Sequence, residues 1–216
     1  MNSSPTSLNE KAYRLVEEMI VTLALEPGAI FSENELSQNI SIGRTPLREA
    51  LQRLAHEGLV RVMPRRGMMV TEINATEHLS LLETRRVIDR LIAQRAAERA
   101  TPLQRDQLRS LAQSMLEAAE VQDVNEFMRI DQACDIALGI ASRNTSAARA
   151  ATPLHALCRR FWFAYQNMGD LKKSAQDHNQ LMIAVAEGDA EAAIAASEHL
   201  LDYLELFTRE ALHLVS

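Results

Sequence analysis

Turn-forming residues are scarce in this chain. Its 216 residues include 7 glycines and 6 prolines, which leaves few places for loops and favours long helices with short connections. There are only two cysteines, Cys134 and Cys158, and their spacing fits neither a disulfide framework nor a zinc knuckle. A reducing, cytoplasmic setting is therefore expected. No apolar run approaches the ~20 residues that a membrane span needs, so no membrane partner is expected. The opening MNSSPTSLNEK has no basic segment ahead of an apolar one, which argues against a secretory signal. Positive charge is also short: the net charge of -6 does not advertise a nucleic-acid binder.

What is present is ordinary in amount and uneven in place. A hydrophobic content of 47% and a charged content of 24% suit a soluble globular protein, and the length suits one or two domains. Between Arg44 and Arg66 lie six arginines (44, 48, 53, 61, 65 and 66) against Glu49 and Glu57, a local balance of 6 − 2 = +4. A basic strip on an acidic protein binds DNA locally and repels it elsewhere.

The pattern around that strip is specific. Residues 1–7 are polar and expected to fray. An apolar stripe at helical spacing runs from Leu8 to Leu25, and Pro27-Gly28 ends it. Ser32-Glu33-Asn34-Glu35 is an S-x-x-E capping box that starts a short helix with Leu36 and Ile40 facing inward. After a turn at Ser41-Ile42-Gly43, Thr45-Pro46 supplies a capping hydroxyl and a proline for the first helical position. Leu47, Ala50, Leu51 and Leu54 form the buried stripe of this second helix, and Gly58 stops it. Two short strands, 59–62 and 68–71, flank a turn at Pro64-Arg65-Arg66-Gly67. Two helices and a hairpin in this order make a winged helix-turn-helix. Arg44 and Arg48 project from the helix end that meets the major groove, where the planar guanidinium grips guanine or phosphate. The arginines at the hairpin tip reach backbone or minor groove, and Gly67 allows close approach.

Residues 26–70 resemble the N-terminal domain of GntR-type bacterial transcription regulators. The matching residues are Pro27-Gly28, Ser32-Glu33, Glu35-Leu36, Arg44-Thr45-Pro46-Leu47-Arg48-Glu49-Ala50-Leu51, Arg53-Leu54, Glu57-Gly58-Leu59-Val60 and Arg66-Gly67. The expected DNA-contacting set is Arg44, Thr45, Arg48, Arg65, Arg66 and Gly67. One departure stands out: the family's Gly-Val-Ser turn is here Ser41-Ile42-Gly43, so a phosphate contact from the family's serine does not carry over to Gly43.

From Asn74 the chain reads as all helix. Capping signals at Asn74, Thr101-Pro102, Asp123, Asn144 and Asp189 open successive helices, and Pro153 either splits or kinks one of them. The fold class expected is mainly α: a winged helix-turn-helix domain (8–73), then an antiparallel bundle of six to seven helices (74–214). Within the bundle, Asp131 and Asp135 share a helical face with Ile130, Ala133, Ile136, Ala137 and Ile140 around them, and His178 and His199 lie in apolar helices. Two carboxylates and two imidazoles from three helices are able to form an N/O metal site, although singly each has a duller explanation as a core or surface residue. His78, His155, Arg159 and Arg160 read as surface or rim, and Phe161-Trp162-Phe163 as core or dimer contact.

The bundle resembles the FCD effector-binding domain of the FadR subfamily. That resemblance implies a divalent metal (Zn first, or Ni, Mn or Fe) on Asp131, Asp135, His178 and His199, with Asp135 standing where the family usually has histidine. It also implies that Arg85 faces an effector pocket and clamps a carboxylate, against the alternative of a surface pair with Glu83 or Asp89. The function expected is a ligand-responsive repressor: a homodimer on a palindromic double-stranded operator, controlled by a small organic acid. The competing readings are a regulator whose metal is the signal or purely structural, a pocket with no metal, and a metalloenzyme fused to a DNA-binding domain.

Overall fold

The computed structural model describes residues 7–215, so the expectation for residues 1–6 lies outside it. The chain divides into two compact units between Ile73 and Asn74.

In the first unit, helix α1 (Leu8–Val21) buries Ala12, Tyr13, Val16 and Ile20 and packs on α3. It stops four residues short of the Leu25 that the stripe suggests, turning at Leu23 with φ 58. Helix α2 (Glu33–Asn39) begins at the expected capping box, with the Ser32 hydroxyl and the Glu35 carboxylate each accepting from the other's backbone N–H. Leu36 is buried, while Ile40 is only half-buried.

Helix α3 (Arg44–His56) starts earlier than expected. Its N-cap is Gly43, with no side-chain cap, so Thr45 and Pro46 lie inside the first turn. The buried stripe is Leu47, Ala50, Leu51 and Leu54, as the spacing predicts. Strands β2 (Val60–Met63) and β3 (Gly67–Val70) form the hairpin. A two-residue strand not anticipated from sequence, β1 (Ile30–Phe31), completes an antiparallel sheet of order β1-β3-β2, pairing Ile30 with Met69 and Phe31 with Met68. Gly67 serves this sheet: its φ is 100, and a Cβ there would collide with the Phe31 carbonyl oxygen.

The second unit is helical throughout: α4 (Ala75–Arg99), α5 (Pro102–Glu120), α6 (Val124–Ser142), α7 (Thr145–Ala164), α8 (Leu171–Glu187) and α9 (Ala190–Val215), with a 3-10 turn at Gln166–Met168. Asn74, Thr101, Asp123, Asn144 and Asp170 each cap a helix start through the side chain. Such caps are worth about 1 kcal/mol apiece and permit the very short connections. Pro153 lies inside a single helix, α7. Helix α4 packs against α6, α7, α8 and α9, so its inward stripe sits at the centre of the unit.

Candidate effector pocket and nucleic-acid interface

The six residues expected to meet DNA fall on two short elements. Arg44 and Arg48 rise from the first turns of α3 and lean on the first turn of α2. Arg44 Nη1 donates to Asn34 Oδ1 at 3.2 Å, and Arg48 donates through Nε and Nη2 to Glu33 Oε2 at 2.9 Å. The fork of Arg48 is thus oriented while 60% of its side chain stays exposed. Thr45 is exposed beside them. Arg65 and Arg66 are exposed at the hairpin turn, which closes with Arg66 N–H donating to Met63 C=O at 3.0 Å. Pro64 holds the second position of that turn, and Arg65 holds the third with φ 65, a left-handed conformation that glycine takes without cost.

Arg53 leaves the basic strip. It lies 3.6 Å over the Tyr13 ring and pairs with Glu57 and Glu10, tying α3 to α1.

At the centre of the second unit, four helices contribute buried charges to one network. From α4, Arg85 (7% exposed) donates to Asp89 Oδ2 at 2.9 Å. From α7, His155 bridges two carboxylates, with Nε2 at 2.8 Å from Asp89 and Nδ1 at 3.2 Å from Asp135. Arg159, also from α7, pairs closely with Asp135 and stands 3.7 Å from Asp131. From α8, His178 places Nε2 2.8 Å from Asp131 and donates through Nδ1 to the Ser174 carbonyl at 2.8 Å.

The electrostatics follow from these pairings. At Asp89 burial opposes ionisation, but Arg85 and His155 outweigh it and hold the carboxyl down at about 2. Asp131 is likewise held low by His178 and Arg159 against its burial. Asp135 moves the other way. Burial and the charge on Asp131 outweigh His155 and Arg159, and its carboxyl is raised. Burial disfavours a charged His178 ring, yet both its nitrogens face acceptors, Asp131 above all, and its pKa is raised.

Two cavities flank the network. One, partly open to solvent, is walled by Asp89, Asp135 and His155 on its polar side and by Leu138, Leu181 and Leu200 on its apolar side. The other, also open to solvent, lies between Arg159 with Asp131 and the apolar residues Phe127, Met128, Trp162 and Leu204. Arg85 and His178 line both.

The predicted residues are only partly brought together. Asp131 and His178 meet, and Asp135 lies close by but is engaged by Arg159 and His155. His199 stands apart: 55% of its side chain is exposed, and its Nε2 is 3.4 Å from Asp177 and 3.2 Å from Lys173 Nζ. The face of α9 that lines the cavity carries Ser197, Leu200 and Leu201, and one residue is a turn of about 100° on a helix. Among the described residues no group of three or more His, Cys, Asp or Glu is arranged to hold a metal ion. The expected ring of isoleucines is also incomplete, because Ile136 and Ile140 are 42% and 61% exposed on the opposite side of α6.

Arg85 pairs with Asp89, one of the two alternatives to a ligand contact, but in the interior rather than at the surface. The reading of His78, His155, Arg159 and Arg160 as surface or rim is wrong: all four are buried, at 6%, 7%, 6% and 1% exposure. The signal that could have found the middle pair is positional. Ala151, His155, Cys158, Arg159 and Trp162 fall on one helical stripe, so two cationic residues interrupt a buried face. Of the aromatic triplet, Phe161 belongs to the core and stacks on His78 with ring centroids 4.0 Å apart, whereas Trp162 also lines the second cavity.

Two family models match the chain. Residues 8–70 match the gntR family of bacterial regulatory proteins, and residues 80–203 match the FCD domain. The HTH-type transcriptional repressor RspR of Escherichia coli K12 is 32% identical over 129 residues, 59% of this chain and 57% of that protein. This chain therefore spans less than two thirds of RspR. An HTH-type transcriptional regulator from an unstable DNA locus of Streptomyces ambofaciens is 32% identical over 193 residues, 85% of this chain and 78% of its own length. Among solved structures, E. coli McbR/YncC superposes with a TM-score of 0.82 at 19% identity, covering 95% of this chain and 99% of that one.

Proposed function

The chain belongs to the GntR family of bacterial regulatory proteins and is a DNA-binding transcription regulator with an FCD domain; from that premise we propose that a small organic acid, held at Arg85, controls its grip on DNA. The observation that carries this reading is a buried arginine shared by two cavities. A guanidinium at 7% exposure beside apolar walls presents a fork that matches a carboxylate and excludes water from the contact.

In this reading Arg44, Thr45 and Arg48 enter the major groove, and Arg65, Arg66 and Gly67 follow the neighbouring backbone or minor groove. A homodimer presents two such sets to a palindromic operator. Repression is the mode we favour, in line with the name of RspR. The acid acts by binding one arrangement of the dimer better than another, which shifts DNA affinity by the same coupling. An acid is preferred to a metal as the signal because His199 stands outside the cluster and Asp135 is already engaged by Arg159.

Thermal unfolding in the presence of a panel of aliphatic and aromatic acids tests the pocket. A matching acid raises the wild-type midpoint by about 5 °C at saturation. The Arg85→Lys variant keeps the charge, loses the fork, and loses most of that shift. A panel that moves neither protein contradicts the acid reading.

A further inference from the structure

The first turn of α2 holds one carboxylate still against the recognition helix. Ser32 caps α2: its hydroxyl accepts from the Glu35 N–H at 3.2 Å, while the Glu35 carboxylate accepts from the Ser32 N–H at 3.2 Å and from the Ser32 hydroxyl at 2.8 Å. Glu35 is thereby occupied with the cap. Leu36, 2% exposed, anchors the same turn in the core of the winged unit, and α2 packs on α3. The other acid of the turn, Glu33, faces Arg48, 15 residues further along the chain.

The contact selects one edge of the guanidinium. Glu33 Oε2 accepts from Arg48 Nε and from Nη2, each at 2.9 Å, which is the side edge. Nη2 carries a second hydrogen, so the end edge of Nη1 and Nη2 still offers two parallel N–H groups, and 60% of the side chain is exposed. Two parallel donors match guanine O6 and N7 in the major groove. Arg44 is held by less: a single neutral contact joins its Nη1 to Asn34 Oδ1 at 3.2 Å. Glu33 also carries a cost, because a carboxylate beside DNA-facing arginines repels phosphate whatever the sequence. What it supplies is a guanidinium already oriented, on a long side chain that need not be ordered when DNA arrives.

We propose that Glu33 is a specificity-determining residue of the DNA reader: without touching DNA itself, it positions Arg48 so that the Nη1–Nη2 edge pairs with one guanine of the operator half-site. This rests on the reading of α3 as the recognition helix and deepens it. A phosphate contact needs no such clamp, since phosphate is a charge that an unrestrained arginine reaches from many directions. A base edge does need it, because both hydrogen bonds form only when the fork lies in the plane of the base.

The experiment uses the full chain and a duplex obtained by in vitro selection with the wild-type protein, together with copies in which each base pair of the half-site is replaced in turn. Affinities are measured by anisotropy for wild type, Glu33→Ala, Glu33→Gln, Arg48→Ala and the double variant, with thermal unfolding of each as the check on folding. Wild type is expected to prefer guanine at one position by about tenfold or more, and Glu33→Ala by about threefold or less at that same position. Glu33→Gln, which keeps an oxygen acceptor and the length of the side chain, falls between. Arg48→Ala loses the preference at the same position, and adding Glu33→Ala to it relaxes that position no further. A folded Glu33→Ala that keeps the wild-type preference, or that binds every sequence more tightly by one common factor, overturns the proposal: Glu33 is then only a surface charge. Relaxation at a position other than that of Arg48→Ala overturns it too, since Glu33 then reads a base itself. An Arg48→Ala that weakens all sequences equally overturns it while leaving the recognition-helix reading intact. If Arg48→Ala changes neither affinity nor preference, that reading falls and this proposal with it.

Discussion

His78 is a buried imidazole that the pocket does not use. It is 6% exposed, stacked on Phe161 and 3.7 Å from the Cys158 sulfur. Burial, with the nearby Arg85 charge, pushes its pKa from 6.5 down to about 3. The unfolded chain therefore takes a proton near pH 6.5 that the folded chain refuses until about pH 3. Stability is full above the higher value and is lost as pH falls between the two, by about 1.4 kcal/mol per pH unit. His78→Phe keeps the ring stack and cannot take the proton. Urea midpoints measured from about pH 6.5 to about pH 5 are expected to fall more steeply for wild type than for His78→Phe, and equal slopes contradict this assignment.

The same scale explains why the pocket was half legible. Asp131, Asp135, His178 and Arg85 stand out in the sequence because each interrupts an apolar stripe. His155 and Arg159 interrupt one too, but their burial depends on a set of partners on other helices, which the sequence does not show. Those partners are separated by 20 to 66 residues and no local pattern announces them. His199 fails in the opposite way: the residue type was right, but α9 turns Ser197 and Leu200 to the cavity instead.

At the scale of elements, the hairpin tip carries a conflict between stability and binding. A left-handed backbone at Arg65 costs about 1–2 kcal/mol relative to glycine. Arg65→Gly is expected to stabilise the winged unit by about 1 kcal/mol and to weaken DNA binding. Arg44→Ala and Arg48→Ala weaken it further, by about tenfold or more, with the unfolding of the helical unit unchanged. Anisotropy titrations of an operator fragment obtained by in vitro selection measure all three. Unchanged affinity in both Arg44→Ala and Arg48→Ala overturns the recognition-helix assignment.

Helix starts were the most legible part of the fold, since capping boxes are local chemistry, as at Ser32 and Thr101. What escaped was set by tertiary contact. Strand β1 is two residues long, too short for any period, and exists because β3 offers it an edge. The start of α3 moved back to Gly43 because the helix runs straight on from the tight turn at Ser41, whose φ is 53, without waiting for a hydroxyl cap.

For the whole molecule the contrast is one of charge. A chain of net charge -6 concentrates +4 between Arg44 and Arg66, and Arg53 of that strip is spent on Tyr13, Glu10 and Glu57. The proposed DNA binding then rests on few cations, and its affinity is expected to fall with salt along a shallow slope, about 0.9 log unit per log unit of salt for each phosphate contacted. The helical unit holds its own charges inside, in a network with two cavities beside it. No described helix is long and apolar enough to cross a membrane. We propose that the second unit's pocket governs the first unit's grip. It is tested most directly by the affinity of wild type and Arg85→Lys for the selected operator, with and without the acid that the thermal panel identifies. Wild-type affinity is expected to change by about fivefold or more, in either direction, and that of Arg85→Lys, unaltered without acid, not to change. An acid that binds yet leaves operator affinity unchanged, or one whose effect survives in Arg85→Lys, would contradict it.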